Sequence, residues 1–134
     1  MRSDFLEIKN AAKKVGLNEN TVRYYSDNGL VPSVKRDKNN HRIFDQEAIN
    51  WLMGDKRMRE AGMSIDNLKK YVDLCLKGQS TIKERYQIIE NLKVQAQRQL
   101  QEAQKRVQYL SKKSDIYKKG LNNKNEDILN PKKW

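Results

Sequence analysis

The segment spanning residues 8–44, IKNAAKKVGLNENTVRYYSDNGLVPSVKRDKNNHRIF, constrains the fold more than any other part of the chain. Ile8, Ala11, Ala12 and Val15 recur at helical spacing and predict a short first helix. Gly16 stands where such a helix stops in the left-handed region, and Leu17 can fold back onto the core. Asn18 is a good N-cap for a second helix, with Glu19 in the first turn where negative charge is favourable. The alanines of the first helix permit the close crossing that so tight a turn demands. Gly29-Leu30-Val31-Pro32 then stops the second helix. This is the order of parts in a helix-turn-helix.

At 100° per residue, Asn20, Arg23, Tyr24 and Asp27 fall on one side of the second helix. Val22 and Ser26 lie opposite, flanked by Thr21 and Tyr25. An exposed Arg and Tyr beside Asn suits base edges and phosphates. A solvated surface helix would carry the same residues, so the flanking segments decide. Lys35-Arg36 and residues 41–44 read as two short strands joined by the turn-tolerant Asp37-Lys38-Asn39-Asn40. Arg42 and Phe44 face one way on the return strand, His41 and Ile43 the other. This basic hairpin is a wing whose cations touch the sugar-phosphate backbone. The candidate DNA-binding residues are therefore Asn18, Asn20, Thr21, Arg23, Tyr24 and Tyr25, with Lys35, Arg36, Lys38, Asn40, His41, Arg42 and Phe44 from the wing.

Asp45 caps a third helix, which has Ile49, Leu52 and Met53 along an apolar stripe and Trp51 in the core or a subunit interface. Gly62 ends it. Ser64 caps a fourth helix, with Ile65, Leu68, Val72 and Cys75 on one face. This pair can reach flanking DNA as a second wing through Lys56, Arg59, Ser64 and Lys69.

Gly78-Gln79-Ser80 breaks the chain, and Thr81-Ile82-Lys83-Glu84 has the capping-box pattern. Neither Gly nor Pro then appears before Gly120. Ile82, Ile89, Ala96, Ala103, Leu110 and Tyr117 recur every seven residues, with Leu92, Leu100 and Val107 as a second row. A helix of ~57 Å at ~1.5 Å per residue cannot bury that seam on a small head and needs another copy of itself. The seam leaves parallel and antiparallel pairing open. The expected organisation is mainly α: a winged helix-turn-helix head over residues 1–77, a coiled-coil dimerisation helix over 78–120 and a frayed tail over 121–134. Ile128, Leu129 and Trp134 of that tail can dock on a partner.

Charge agrees only in part. The net charge of +11 favours a polyanionic partner. Residues 1–70 nevertheless hold 14 Lys/Arg against 10 Asp/Glu, and residues 71–134 hold 14 against 7. The local cluster Lys35, Arg36, Lys38 and Arg42 therefore counts for more than the total. One cysteine excludes an intramolecular disulfide, and one histidine excludes a His-rich metal site. No phosphate-binding glycine loop or catalytic constellation is present, so neither an enzyme nor a cofactor is expected. No apolar run reaches a membrane span, and the first ten residues lack a signal-peptide core, which reads as a cytoplasmic protein, and the expected DNA binding makes it nucleoid-associated.

Thr21-Val22-Arg23-Tyr24-Tyr25, Gly29-Leu30, the wing end His41-Arg42-Ile43-Phe44 and Arg59-Glu60-Ala61-Gly62-Met63-Ser64 resemble the MerR family of bacterial transcription regulators, over roughly residues 5–120. The resemblance implies a homodimer joined by an antiparallel coiled coil, with two winged heads on a pseudo-palindromic promoter spacer. Bending and untwisting of that spacer would let RNA polymerase engage both promoter elements, so the polymerase is reached through DNA. By matching position, Arg23 and Tyr24 contact the operator, Arg42 and Phe44 belong to the wing, and Tyr25 braces or touches a phosphate. Metal-sensing members carry several cysteines where this chain has only Cys75. The segments around Cys75 and Gly78 resemble the aldehyde- or thiol-stress branch, but Arg57 stands where its reactive cysteine is expected. Cys75 itself reads as a core residue. Two other classes remain: an architectural or recombination-type DNA-bending protein, and a coiled-coil interaction protein with incidental basic charge.

Overall fold

A computed structural model of the chain describes residues 4–121 and 127–134. The elements run β1 (Leu6–Glu7), α1 (Ile8–Val15), α2 (Glu19–Asp27), β2 (Lys35–Arg36), β3 (Arg42–Phe44), α3 (Gln46–Glu60), α4 (Ile65–Lys77) and α5 (Ile82–Gly120), with 3-10 turns at Gln79–Thr81 and Pro131–Lys133. The mainly α winged helix-turn-helix expectation holds. Two compact units divide it, Met1–Leu92 and Lys93–Trp134.

In the first unit, α1 ends as its sequence requires. Gly16 takes φ 74° and, like Leu17, donates its N–H to Ala12 O. A residue with a Cβ would be strained there. Lys56 Nζ adds a bond of 2.9 Å to Val15 O, closing another orphan carbonyl. Asn18 caps α2 through Thr21 N at 2.7 Å, Asp45 caps α3 through Ala48 N at 2.8 Å, and Ser64 caps α4 through Asn67 N at 3.1 Å. Gly62, at φ 101°, turns α3 into α4.

The wing has a strand that sequence patterning missed. β1 pairs antiparallel with β3, Leu6 opposite Phe44 and Glu7 opposite Ile43, which makes β3 the centre of a three-stranded sheet. β2 pairs on the other side, Lys35 with Ile43 and Arg36 with Arg42. His41 lies outside the return strand. Ala11, Ala12, Val22, Leu30, Val31, Phe44, Leu52, Met63, Leu68 and Val72 form the core. Trp51 packs half-buried on its edge, its indole N–H donating to Glu47 Oε2.

The junction into α5 differs from a capping box. The buried Thr81 hydroxyl turns back onto α4, with Leu74 O at 2.6 Å and Gly78 O at 2.8 Å as acceptors, and receives Arg85 Nε at 3.0 Å. The hydroxyl proton goes to carbonyls at the α4 terminus, and the Arg85 guanidinium donates to its oxygen. Cys75 is half-buried rather than a full core residue. The neighbouring Tyr71 phenol is pushed up by burial and, secondarily, by Cys75 itself.

No residue of α5 is buried. Within the first unit Ile88 and Leu92 pack against the head core, so Leu92 serves the head as well as the seam. In the second unit Leu100, Val107, Leu110 and Tyr117 are all more than half exposed, and Ala96 is exposed. Ile82, at the start of the helix, is 53% exposed. Ile89 and Ala103 are half-buried. Lys113 sits 5.1 Å from the centre of the Tyr109 ring. Of the tail expected to fray, residues 122–126 lie outside the described residues. Residues 127–134 form a bonded turn: Asn130 caps Pro131–Lys133, and the Trp134 indole donates to Ile128 O at 3.1 Å.

Asp55 breaks the burial rule for carboxylates. It is 1% exposed on α3 and its Oδ2 has no hydrogen-bond partner. Burial pushes its pKa from the ordinary 3.8 up to about 8. The folded head thus binds this proton more tightly than the unfolded chain does. Its contribution is complete below pH 3.8 and is lost as pH rises through about 8. Asp55→Asn, which cannot ionise, is expected to raise Tm by roughly 5 °C at pH 8, with the gap over wild type narrowing toward pH 4. Parallel Tm-against-pH curves for the two proteins would contradict this.

Candidate nucleic-acid interface

The helical period splits the two consecutive tyrosines of α2. Tyr24 is 51% exposed, whereas Tyr25 is 6% exposed, with ring centres 6.3 Å apart. Burial raises the Tyr25 phenol, partly offset by Arg59, which hydrogen-bonds to it. Tyr25 therefore belongs to the core and braces α2 against α3. Asn20 Oδ1 accepts from Arg23 Nη1 at 2.9 Å, laying the guanidinium along the outer face of α2. Asn18 spends its side-chain oxygen on the cap, and Thr21 is half-buried beside it.

The wing tip is organised by one carboxylate. Asp37 Oδ1 accepts from Asn39 N and His41 N, both at 2.9 Å, and the His41 bond above all holds its pKa below the usual range. Asn40 adopts φ 64°, a conformation Asn tolerates better than most residues. Arg36 Nη1 donates to Asn40 O at 2.9 Å. Lys35, Lys38 and His41 are exposed. Arg42 is different: its side chain is only 15% exposed, and its Nη2 is ion-paired with Asp27 Oδ1 at the end of α2.

Phe44 is 0% exposed. As the inward residue of the central strand it belongs to the core and has no surface to offer DNA. Lys56 and Arg59 are likewise committed, Lys56 to Val15 O and Arg59 Nη1 to Met63 O at 2.7 Å as well as to Tyr25. A carbonyl at the end of α1 and one in the turn between α3 and α4 draw these cations inward. Ser64 is exposed at the α4 N-terminus, and Lys69 is half-buried on that helix.

What the fold does bring together is a cleft of about 270 Å³, lined by Arg23 of α2, Arg36, Asn40, His41 and Arg42 of the wing, and Glu7, Ile8 and Lys9 at the β1–α1 junction. Three guanidiniums converge there with a shape open to an anionic backbone. Lys9 was missed from sequence because its place in the cleft depends on the β1–β3 pairing. Phe44→Ala is expected to cost about 3–5 kcal/mol of folding stability, read by urea unfolding. A Phe44→Ala protein of wild-type stability but weakened DNA binding would return Phe44 to the interface.

Residues 6–75 match the family model for MerR HTH family regulatory proteins. An HTH-type transcriptional regulator of Haemophilus influenzae is 31% identical over 109 residues, 81% of each chain. The regulator AdhR of Bacillus subtilis is 40% identical over 84 residues, and the match spans 63% of this chain but only 60% of AdhR. Among solved structures, HiNmlR, a MerR family regulator lacking the sensor domain and bound to promoter DNA, superposes with a TM-score of 0.76 at 28% identity, covering 89% of this chain and 94% of that one. A putative MerR family regulator from Listeria monocytogenes gives 0.78 at 30% identity, covering 92% and 93%. A winged helix-turn-helix matched over its whole length, with relatives of this kind on either side, places the chain in the MerR family of helix-turn-helix transcriptional regulators.

Proposed function

We propose that the chain binds promoter DNA as a homodimer and controls transcription by changing the shape of the duplex between two recognition half-sites. The observation that carries this is the convergence of Arg23, Arg36 and Arg42 beside the exposed Tyr24. Arg23 and Tyr24 read or brace the operator, with Asn20 aligning Arg23. Lys35, Arg36, Lys38 and Lys9 supply phosphate contacts, which set affinity and register without specifying sequence. The promoter-bound state of HiNmlR supports the same use of a closely similar fold.

The exposed row Leu100, Val107, Leu110 and Tyr117 supports pairing of α5 with its counterpart in a second copy. Two heads at a set separation then read a pseudo-palindrome, and deformation of the intervening spacer passes the signal to RNA polymerase. No helix among the described residues is long and apolar enough to cross a membrane.

Duplex fragments selected from the source genome supply the test. Arg23→Ala and Tyr24→Ala are each expected to weaken binding to the selected operator by roughly ten- to a hundredfold, with the dimer intact by sedimentation. Unchanged binding by both would refute the reading. Leu100→Lys is expected to yield monomer and to lose operator binding while its head still melts cooperatively; a Leu100→Lys dimer of normal affinity would remove the seam from the account. Transcription from a linked promoter distinguishes a regulator from a purely architectural DNA bender.

A further inference from the structure

We propose that Asp27 is a positioning residue for DNA binding: it anchors the Arg42 guanidinium and so sets the wing against the recognition helix α2. The inference rests on the promoter-binding reading above.

Asp27 stands at a site local rules disfavour. It is the last residue of α2, whose final turn holds no basic side chain, so its charge faces the negative end of the helix dipole. Its partner explains it. Arg42, fifteen residues on, pairs with Asp27 Oδ1 through Nη2 while its own side chain is 15% exposed. Arg42 Nε is buried and has no partner. A guanidinium this desolvated stays in place only while an anion compensates it. In the sheet Arg42 lies directly opposite Arg36, a like-charged cross-strand pair that would push the hairpin open. Arg36 is turned aside by Asn40 O, and Arg42 is drawn to α2 by Asp27. The remaining charged groups of the cleft are Arg23, His41, Lys9 and Glu7. Without the carboxylate, Arg42 faces Arg23, Arg36 and Lys9 with only Glu7 to balance them. It leaves its slot, and the wing loses its tie to α2.

Simple electrostatics makes the opposite prediction. An acidic residue on a basic DNA-facing surface repels phosphates, so neutralising it would tighten binding. The two accounts differ in sign.

The experiment measures affinity of the full chain for the operator duplex selected above and for a scrambled duplex of equal length, across a salt series. The proteins are wild type, Asp27→Asn, Asp27→Glu, Arg42→Gln and the Asp27→Asn/Arg42→Gln double variant. Asp27→Asn is expected to lose operator affinity roughly tenfold despite its more positive charge, with a shallower salt slope and little change on the scrambled duplex. Asp27→Glu should recover most of the loss, and the double variant should bind no worse than Arg42→Gln alone. Operator binding by Asp27→Asn that equals or exceeds wild type overturns the inference, as does a double variant whose loss is the sum of the two singles. A wild-type chain that does not prefer the operator to the scrambled duplex refutes the promoter-binding reading, and this inference with it.

Discussion

The seating of α2 is the constraint on which the proposed DNA-binding surface depends. One helical face is closed by Val22 and Tyr25, the latter hydrogen-bonded by Arg59 from α3. The helix start is fixed by the Asn18 cap and the Gly16 turn, and its end is tied to β3 through Asp27 and Arg42. With entry, inner face and exit all held, Tyr24 and Arg23 project from a rigid platform. Rigid support limits the entropy lost when such side chains meet a ligand. A polar outer face alone would supply the same chemistry without the placement.

The wing obeys the same logic. β3 is central because β1 covers one of its edges and β2 the other, and Phe44 anchors it in the core. A two-stranded hairpin alone is marginal in water, so this third strand and the buried ring are what keep the wing in register. Much of the nearby positive charge is spent on structure: Lys56 and Arg59 satisfy backbone carbonyls at the end of α1 and in the α3–α4 turn. Asp55, buried without a partner for Oδ2, is a position where the head tolerates a group its interior disfavours.

The long helix poses a different physical problem. An apolar row on a helix of 39 residues costs free energy for as long as water covers it. Ile88 and Leu92 reach the head core, but Leu100, Val107 and Leu110 stay more than half exposed. A heptad spacing matches the hydrophobic seam to an identical helix, which is why pairing is the natural relief. A proposed promoter-binding dimer thereby gains a spacing between its heads that neither head has alone.

Local rules carried most of the fold. The first helix, its glycine stop, the caps at Asn18, Asp45 and Ser64 and the uninterrupted run to Gly120 were legible because each depends on neighbours within one turn. The heptad row was legible for the same reason. Long-range competition decided the rest. Two residues of β1 are too short to show a pattern and exist only because β3 pairs with them. Thr81 abandons a capping box for carbonyls of a different helix. Tyr25 and Phe44 look like interface residues by type, yet tertiary packing buries both, because hydrophobic area is recovered inside whichever motif carries it. Lys9, Lys56 and Arg59 share one charge, and only the folded backbone separates the cation lining the cleft from the two bound to carbonyls.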